Sequence, residues 1–294
     1  MKTTNQFNLP DPVFKALTND TYTKGDSNRS ITTLIDSPRI RIQKSELSEV
    51  IYEDASEKIW SILGTAVHNI FEDHAEGNYL SEERLFVDIN GWKVSGAIDI
   101  QKTEDDGSVT IMDYKCTSVW SVIFDKVEWH NQLNAYAYLV RKAKKVKVNK
   151  LQIVAVLRDW KKREAQMKDD YPYAPIMIVD VPLWDEAVAA EYVEGRVKLH
   201  QDAEFSRLVG EDLPLCSDKE RWMRDTKYAV KKKTVKRAVR LFDSLEDAQT
   251  FFQKEGFGDA YVIEERVGEP IRCAQNYCRV AEHCDQYQKE IVHA

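Results

Sequence analysis

The period of apolar and polar positions changes several times along the 294-residue chain. Residues 55–75 carry apolar side chains at helical spacing, which predicts an amphipathic helix. The next segment, RLFVDINGWKVSGAIDIQ, alternates with a period of two and contains Asn-Gly, so it is predicted to form a β-hairpin that turns at residues 90–91. A second turn at 106–107 leads into a third predicted strand over 109–114.

The pattern then returns to helical spacing over residues 127–145. Two apolar runs of strand length follow, KLQIVAVLRDW and IMIVDVPL, and after them WDEAVAAEYVEGRVKLHQDA reads as an amphipathic helix. Helix, three strands, helix, two strands and helix in this order predict an α/β fold with a mixed central sheet flanked by helices.

Four segments are predicted along the chain. Residues 1–28 are polar and interrupted by prolines, which indicates an N-terminal arm. Residues 29–225 form the core, and its SITTLIDSPRIRIQKSE stretch predicts a short helix capped by Ser30 and broken near Pro38. Residues 226–271 read as a small β-β-α-β insert whose helix is capped by Ser244. Residues 272–294 form a cysteine-containing C-terminal segment that we expect to close on the core.

Composition narrows the class of protein. Apolar residues make up 43% of the chain, enough for a buried core, and the formal net charge is -7. No apolar stretch is long enough to cross a membrane and no signal-peptide pattern is visible, so we expect a cytoplasmic protein. Five cysteines, an odd number in such a chain, argue against a disulfide framework.

The pair Asp113 and Lys115 follows the third predicted strand. Strand side chains alternate, so both face the same side, where a carboxylate could hold a metal ion and an ammonium could contact a phosphate. The same acid-x-lysine spacing occurs twice more, at Asp159/Lys161 and at 225/227, so the triplet alone also fits a solvent-exposed strand end.

Asp99 is the second candidate ligand. We place it at the end of the second strand of the hairpin, and Asp113 at the end of the third. Ends of consecutive antiparallel strands lie at opposite edges of a sheet, so the two carboxylates meet only if the sheet bends or bulges near Gly96.

Two helices carry further polar residues at a spacing of four. Gly64, His68 and Glu72 share one face of the first helix, and Gln132 and Tyr136 share one face of the second. A solvated histidine beside a glutamate, and a tyrosine in the core, are the common alternatives for such pairs.

Taken in order, these motifs resemble the RecB-like branch of the PD-(D/E)XK nucleases. The resemblance runs from Gly64 through GAID (96–99) and DYKCTS (113–118) to QLNAYAYL (132–139). Ala and Ile precede Asp99 where the superfamily signature often has Pro. The resemblance implies a restriction-endonuclease-like core, a divalent Mg2+ or Mn2+ ion, and DNA as substrate.

The same resemblance implies roles for individual residues. The metal would be held by His68, Asp99, Asp113 and the carbonyl of Tyr114, with Glu72 supporting these ligands. Lys115 would be catalytic. Further catalytic and positioning roles would fall to Asp99, Asp113, Gln132 and Tyr136.

The C-terminal cysteines also fit this branch, several members of which carry an iron–sulfur cluster. Cys273, Cys278 and Cys284 lie close together in sequence, and Cys216 is the best fourth ligand for a 4Fe-4S cluster. Zinc on the same thiolates is the alternative, and His283 could replace one ligand. Cys116 is expected to pack in the sheet.

The insert contains a basic strip. Between residues 225 and 240 there are seven Lys or Arg and one Asp, a net charge of +6 in a chain of -7. A charge run is usually a solvated face, but beside a nuclease core it could follow phosphates. The candidate DNA contacts are Lys231, Lys232, Lys233, Lys236 and Arg237.

These features predict a metal-dependent deoxyribonuclease, with an exonuclease acting on DNA ends or single strands in recombination, repair or phage DNA metabolism as the leading interpretation. A non-cleaving module that binds DNA ends or a partner, and a structure-specific endonuclease, are the alternatives. Lacking a helicase motif, such an enzyme would act alone or with a separate helicase or single-strand annealing or binding protein. For a phage-encoded enzyme, the location would be the host cytoplasm.

Overall fold

The computed structural model describes residues 1–19 and 25–293, with the side chains after residue 291 left out. The chain divides into two compact units, residues 1–214 and residues 215–294. This boundary lies earlier than the predicted end of the core at residue 225. The cysteine segment expected to close on the core is grouped with the insert in the second unit.

The first unit contains eight strands and eight α-helices among its described residues. The strands are β1 (Lys2–Thr4), β2 (Arg29–Ser30), β3 (Tyr52–Asp54), β4 (Tyr79–Ile89), β5 (Trp92–Thr103), β6 (Val109–Thr117), β7 (Val148–Leu157) and β8 (Ile176–Val181). The helices are α1 (Asp11–Thr18), α2 (Ile31–Leu34), α3 (Pro38–Glu46), α4 (Ile59–Glu72), α5 (Val119–Ile123), α6 (Val127–Lys144), α7 (Lys162–Met167) and α8 (Glu186–Val209).

A six-stranded mixed sheet forms the centre of this unit, which confirms the predicted fold class. β4, β5 and β6 form an antiparallel meander, β6 and β7 are parallel, and β8 returns antiparallel to β7. The hairpin turn is at the predicted place, because Ile89 pairs with Trp92 and both Asn90 and Gly91 have positive φ.

Helix α6 supplies the main packing surface against the sheet. Its side chains Leu133, Leu139 and Val140 are fully buried, and they belong to one apolar cluster with residues of β5, β6 and β7. Val193 and Val197 of α8 join the same cluster. Because α6 is buried on most of its circumference, the polar residues it carries toward the sheet are held rigidly.

The predicted helix over residues 55–75 begins with a 3-10 turn at Ala55–Lys58 and continues as α4. Its apolar residues do not reach the core: α4 has no fully buried side chain, and Trp60 is 53% exposed. The helix crosses one face of the sheet at β6, with Phe71 4.9 Å from the ring of Tyr114.

The start of the chain differs from a structureless arm. β1 pairs in parallel with β3, and α1 follows it with Pro12 in its first turn. Residues 20–24 of the predicted arm lie outside the described residues. Ser30 caps α2 as predicted, accepting a hydrogen bond from the backbone N–H of Thr33, and Pro38 opens a separate helix, α3.

The second unit contains the predicted β-β-α-β arrangement. β9 (Lys227–Lys232) lies between β10 (Arg240–Phe242) and β11 (Tyr261–Arg266) in an antiparallel sheet, with α10 (Leu245–Lys254) connecting the last two strands. Ser244 caps α10 by accepting from the N–H of Asp247 at 3.1 Å. Short helices complete the unit: α9 (Asp218–Arg221), α11 (Ile271–Ala274) and α12 (Asp285–His293).

Across the described residues, no helix combines the length and apolarity that a membrane span requires.

Candidate active site

A fork between β5 and β6 creates the site. The two strands pair from Thr103/Val109 as far as Ile100/Met112 and then separate, while β6 continues alongside β7. Asp99 and Asp113 are the first residues beyond the last pair, one on each branch. The expectation that Asp99 ends its strand was wrong: β5 runs on to Thr103, so the two aspartates lie across from one another where the strands separate.

Asp99 also occupies a hydrogen-bonding position that the diverging strands leave open. Its Oδ2 accepts from the backbone N–H of Tyr114 at 2.8 Å. A carboxylate thus replaces the strand partner that this N–H would otherwise have, and fixes the Asp99 side chain at the base of the fork.

Gly96 does not form a bulge, contrary to the interpretation from sequence. It pairs in regular register with Leu85. A Cβ at this position would lie 2.7 Å from Cδ1 of Leu139 and 3.0 Å from the ring of Tyr136. The glycine therefore permits close approach of α6 to β5, which brings Gln132 and Tyr136 to the fork.

Asp113 and Lys115 point to the same side of β6, as the alternation predicted, and form an ion pair. The Asp113 carboxyl is 1% exposed, and the Lys115 side chain reaches the cavity. Burial opposes the charge on Lys115, but the carboxylates of Asp113 and Asp99 outweigh it and raise the pKa of the lysine. Lys115 is therefore a cation, positioned to donate to an anion.

Helix α6 completes one wall. Gln132 Nε2 donates to Asp113 Oδ1 at 2.8 Å and lies 3.1 Å from the hydroxyl of Tyr136. Gln132 thus orients the Asp113 carboxylate, and Tyr136, which is 3% exposed, holds Gln132 in place.

Helix α4 forms the opposite wall. His68 Nε2 donates to the carbonyl of Tyr114 at 2.9 Å, and Nδ1 lies 3.6 Å from Asp99 Oδ2. With Nε2 held by a carbonyl, Nδ1 is the nitrogen that faces the carboxylates. Glu72 lines the same cavity, whereas Gly64 has nothing within 4 Å of an added Cβ and is not needed for close approach.

Glu82 is a candidate that sequence reasoning missed. Its carboxylate, a carboxylate oxygen of Asp99 and a ring nitrogen of His68 lie within 4.8 Å of one another, a grouping able to hold a metal ion. Glu82 has a φ of +49° and interrupts the β4–β5 ladder: Ser81 pairs with Ile100 and Glu83 with Ile98, which leaves Glu82 opposite Asp99. Counting back across the Asn-Gly turn from Asp99 would have found it.

The electrostatics of the site favour a cation. Burial and the neighbouring Asp113 raise the pKa of Asp99 well above its usual value, although Lys115 and the Tyr114 N–H oppose the shift. Partial burial and Glu72 similarly raise the pKa of Glu82. Carboxylates so close together repel one another, and a divalent ion among these oxygen and imidazole donors would relieve the repulsion.

These residues line one cavity of about 410 Å³. Its rim includes Ser30, Ile31 and Thr32, where β2 enters α2, which the sequence analysis had not connected with the site. All of the predicted nuclease residues line this cavity except Tyr114. The carbonyl of Tyr114 accepts a hydrogen bond from His68, which does line it.

The two other acid-x-lysine triplets have structural roles. Asp159 Oδ1 accepts from the backbone N–H of Val119 at 2.7 Å, at the start of α5. Lys227 forms an ion pair with Asp243 between neighbouring strands of the second unit.

Four of the five cysteines lie in the second unit. Cys216, Cys273, Cys278 and Cys284 are buried, whereas Cys116 in β6 of the first unit is only partly buried. Burial and the nearby Cys278 and Cys284 raise the pKa of Cys273 to about 11.

Gln286 joins the distant Cys216 to this C-terminal segment. Its side chain accepts from the Cys216 N–H at 2.8 Å and donates to the Cys216 carbonyl at 3.0 Å. These two hydrogen bonds hold the backbone of Cys216 against Gln286, which is two residues after Cys284.

The basic strip of the insert is less uniform than its sequence. Lys231 is partly buried in an ion pair with Glu264. Lys232 is exposed, with its ammonium 5.9 Å from the centre of the Tyr261 ring. Lys233, Lys236 and Arg237 lie in the exposed turn between β9 and β10. The turn therefore retains the basic side chains that could contact a phosphate backbone.

Comparison with known proteins gives the family. Residues 52–285 match the PD-(D/E)XK nuclease superfamily, and the chain belongs to it. Nucleases of this superfamily use divalent metal ions. No curated protein matches the chain.

Two crystal structures show some similarity to the chain. One, of SSO0001, is 21% identical with a TM-score of 0.44 and covers 64% of this chain and 84% of its own. The other, from Eubacterium rectale, carries the name "Putative exonuclease"; it is 14% identical with a TM-score of 0.32 and covers 78% of this chain and 80% of its own.

Proposed function

We propose that the protein is a Mg2+- or Mn2+-dependent deoxyribonuclease of the RecB-like branch, acting as an exonuclease on DNA ends or single strands in recombination, repair or phage DNA metabolism. The observation that carries this proposal is the fork, where Asp99 and Asp113 face one another beside His68, with Lys115 on the same branch as Asp113. Membership of a nuclease superfamily supports it.

The proposed ligands of the metal are His68, Asp99, Asp113 and the Tyr114 carbonyl, and the structure adds Glu82. These donors fit a hard divalent cation, since they are mostly oxygens and the Asp99 and Glu82 carboxylates have raised pKa values. The ion would supply positive charge to the phosphate and lower the pKa of the attacking water.

The protein's own side chains have distinct tasks in phosphodiester hydrolysis. Lys115, kept charged by two carboxylates, donates to the phosphate oxygen on which charge develops. Gln132 holds Asp113 in one orientation, and Tyr136 holds Gln132. His68 is fixed by the Tyr114 carbonyl, so its second nitrogen remains directed at Asp99.

A digestion series tests this function. Purified protein is incubated with end-labelled linear duplex, covalently closed circular duplex and single-stranded DNA of the same sequence, with Mg2+, Mn2+ or EDTA. We expect metal-dependent loss of linear or single-stranded DNA and persistence of the closed circle. Cleavage of the circle would reject the exonuclease in favour of an endonuclease. No cleavage under any condition would reject the proposed nuclease activity.

We also propose a 4Fe-4S cluster on Cys216, Cys273, Cys278 and Cys284, with zinc as the alternative. The support is that four buried thiols share one compact unit, and that Gln286 fixes the backbone of Cys216 beside the C-terminal segment. Metal–thiolate bonds would stabilise this small unit, since binding energy counts toward folding.

Metal analysis of protein purified without oxygen tests the cluster. The expected product is brown and contains iron and sulfide, and Cys278→Ala bleaches it while Cys116→Ala, in the other unit, does not. Colourless protein with stoichiometric zinc would replace the cluster by zinc. Protein with neither metal, and a Cys278→Ala variant of unchanged stability, would reject both.

A further inference from the structure

Three aromatic side chains at one end of the central sheet have no part in the core. Trp60 near the start of α4, Trp120 in α5 and Phe124 just after α5 are 53%, 59% and 71% exposed. Large exposed aromatic surface is costly in water, and a cluster of it commonly marks a binding site. These three residues are called the aromatic platform below.

Helix α5 presents two of these rings outward. Val119 is buried, and Val122 and Ile123 pack against the core, which fixes the inner face of the helix. Trp120 and Phe124 are four residues apart and lie on the other face, with ring centroids 5.5 Å apart and planes inclined by 13°. The helix therefore holds a stacked aromatic pair facing solvent.

Trp60 is tied to the same end of the sheet through β7. Arg158 follows the last residue of β7, donates its N–H to the Thr117 carbonyl at 3.0 Å, and places its guanidinium 4.2 Å from the centre of the Trp60 ring. The next residue, Asp159, receives the N–H of Val119 at the start of α5. Two consecutive residues, Arg158 and Asp159, thus contact Trp60 and the start of α5.

The platform lies close to the candidate active site. Thr117 is two residues beyond Lys115 on β6, a distance of about 7 Å along a strand. Trp60 is eight residues before His68 on α4, about 12 Å along a helix. A strand whose phosphate lies at Lys115 can therefore extend its neighbouring bases over the three rings.

The charges around the platform suit a phosphate backbone. Arg158 contacts the Trp60 ring, and exposed basic side chains follow Phe124 and Arg158 closely in sequence: Lys126, Lys161, Lys162 and Arg163. The same segments carry four acids, Asp125, Glu128, Asp159 and Glu164, of which Asp125 contacts His130 at 2.7 Å, Asp159 accepts from the Val119 N–H, and Glu164 pairs with Lys168 at 2.6 Å. The five basic side chains outnumber these four acids by one, and all five are exposed to an anionic ligand.

We infer that the aromatic platform stacks the unpaired bases of a DNA strand as it enters the active site, so that this protein selects single-stranded DNA or a frayed end over paired duplex. Paired bases cannot present their faces to these rings, whereas unpaired bases of any sequence can. This inference rests on the proposed nuclease function and adds the feature of the substrate that the protein recognises.

Ring removal tests the inference in two assays. Binding of a fluorescent oligothymidine and of a blunt duplex of equal length is measured by anisotropy in EDTA, where no cleavage occurs. Hydrolysis of bis(p-nitrophenyl) phosphate with Mn2+ reports the metal site without any base. Trp120→Ala and Phe124→Ala are compared with Phe205→Ala, which removes an equally exposed ring (62%) from α8.

We expect each platform variant to bind oligothymidine at least about fivefold more weakly, the lower limit for losing one stacked base. Ester hydrolysis and duplex binding should be unchanged, Phe205→Ala should match wild type, and Trp120→Phe should keep most of the affinity. Thermal melts establish that each variant is folded.

The assays distinguish failure of the platform inference from failure of the proposed nuclease function. Wild-type oligothymidine affinity in Trp120→Ala and Phe124→Ala would overturn the platform and indicate that these rings contact another protein. A wild-type protein that hydrolyses neither the ester nor DNA would reject the nuclease function, while binding in EDTA still decides whether the rings hold a single strand.

Discussion

The close packing of α6 on Gly96 predicts a specific cost for adding one methyl group. In Gly96→Ala the new Cβ would lie 2.7 Å from Leu139 Cδ1 and 3.0 Å from the Tyr136 ring. Carbon atoms prefer separations of about 3.5–4.0 Å. Leu139 is fully buried, and Tyr136 is 3% exposed with its hydroxyl bonded to Gln132, so both are held in place.

The magnitude follows from two opposing effects. Overpacking of a tight core costs about 1–3 kcal/mol, and alanine in place of glycine gains about 0.5 kcal/mol from the unfolded chain. We therefore expect Gly96→Ala to lower the free energy of unfolding by about 1.5 kcal/mol. Because Tyr136 holds Gln132, and Gln132 orients Asp113, nuclease activity should fall as well.

Urea denaturation provides the assay, with Gly195→Ala as the matched control. Gly195 lies within α8 and has nothing within 4 Å of an added Cβ, so its replacement should stabilise the protein by about 0.5–1 kcal/mol. In a double-mutant cycle, Leu139→Ala should relieve part of the Gly96→Ala penalty. Stability of Gly96→Ala within 0.5 kcal/mol of wild type would refute the close-approach argument.

Three further predictions concern other parts of the molecule. Burial and nearby arginines lower the pKa of His200 to about 4, so below pH 6.5 the unfolded state takes up a proton that the folded state does not. The free energy of unfolding should therefore fall by about 2 kcal/mol between pH 7.5 and pH 5, as measured by urea denaturation. An equal loss in His200→Gln would contradict this. Glu82→Gln should raise the half-saturating Mg2+ concentration for cleavage about tenfold, since the Coulomb attraction of one carboxylate exceeds the ~1.4 kcal/mol that tenfold requires; an unchanged titration would exclude Glu82 as a ligand. Replacing Lys233, Lys236 and Arg237 with Ala should make the salt dependence of single-strand binding shallower by about two units of slope, and an unchanged slope would leave the turn a solvated surface.

The order of elements and the candidate residues could be predicted from sequence because each depends on local pattern. Asn90–Gly91 fixed the hairpin, and the spacing of four on α6 linked Gln132 with Tyr136. Strand lengths were harder to predict. Misplacing the end of β5 at Asp99 suggested a separation from Asp113 that does not exist.

Other features depend on contacts distant in sequence. The sequence predicts a bend or bulge near Gly96, because a sequence does not reveal which helix packs on a strand. The role of Glu82 follows from register across two strands, and the approach of Cys216 to the C-terminal segment follows from the Gln286 side chain. Lys231 looked like its basic neighbours, but a cross-strand glutamate pairs with it.

The most direct test of the proposed function is metal-dependent DNA cleavage by Lys115→Ala and Asp113→Asn beside the wild type, with DNA binding measured in EDTA. Wild type is expected to cleave only with Mg2+ or Mn2+. Both variants should bind DNA but cleave it at least about a hundredfold more slowly, since each loses a group that stabilises the developing charge or holds the metal. Cleavage by either variant at near wild-type rate would contradict the assignment of the fork as the active site.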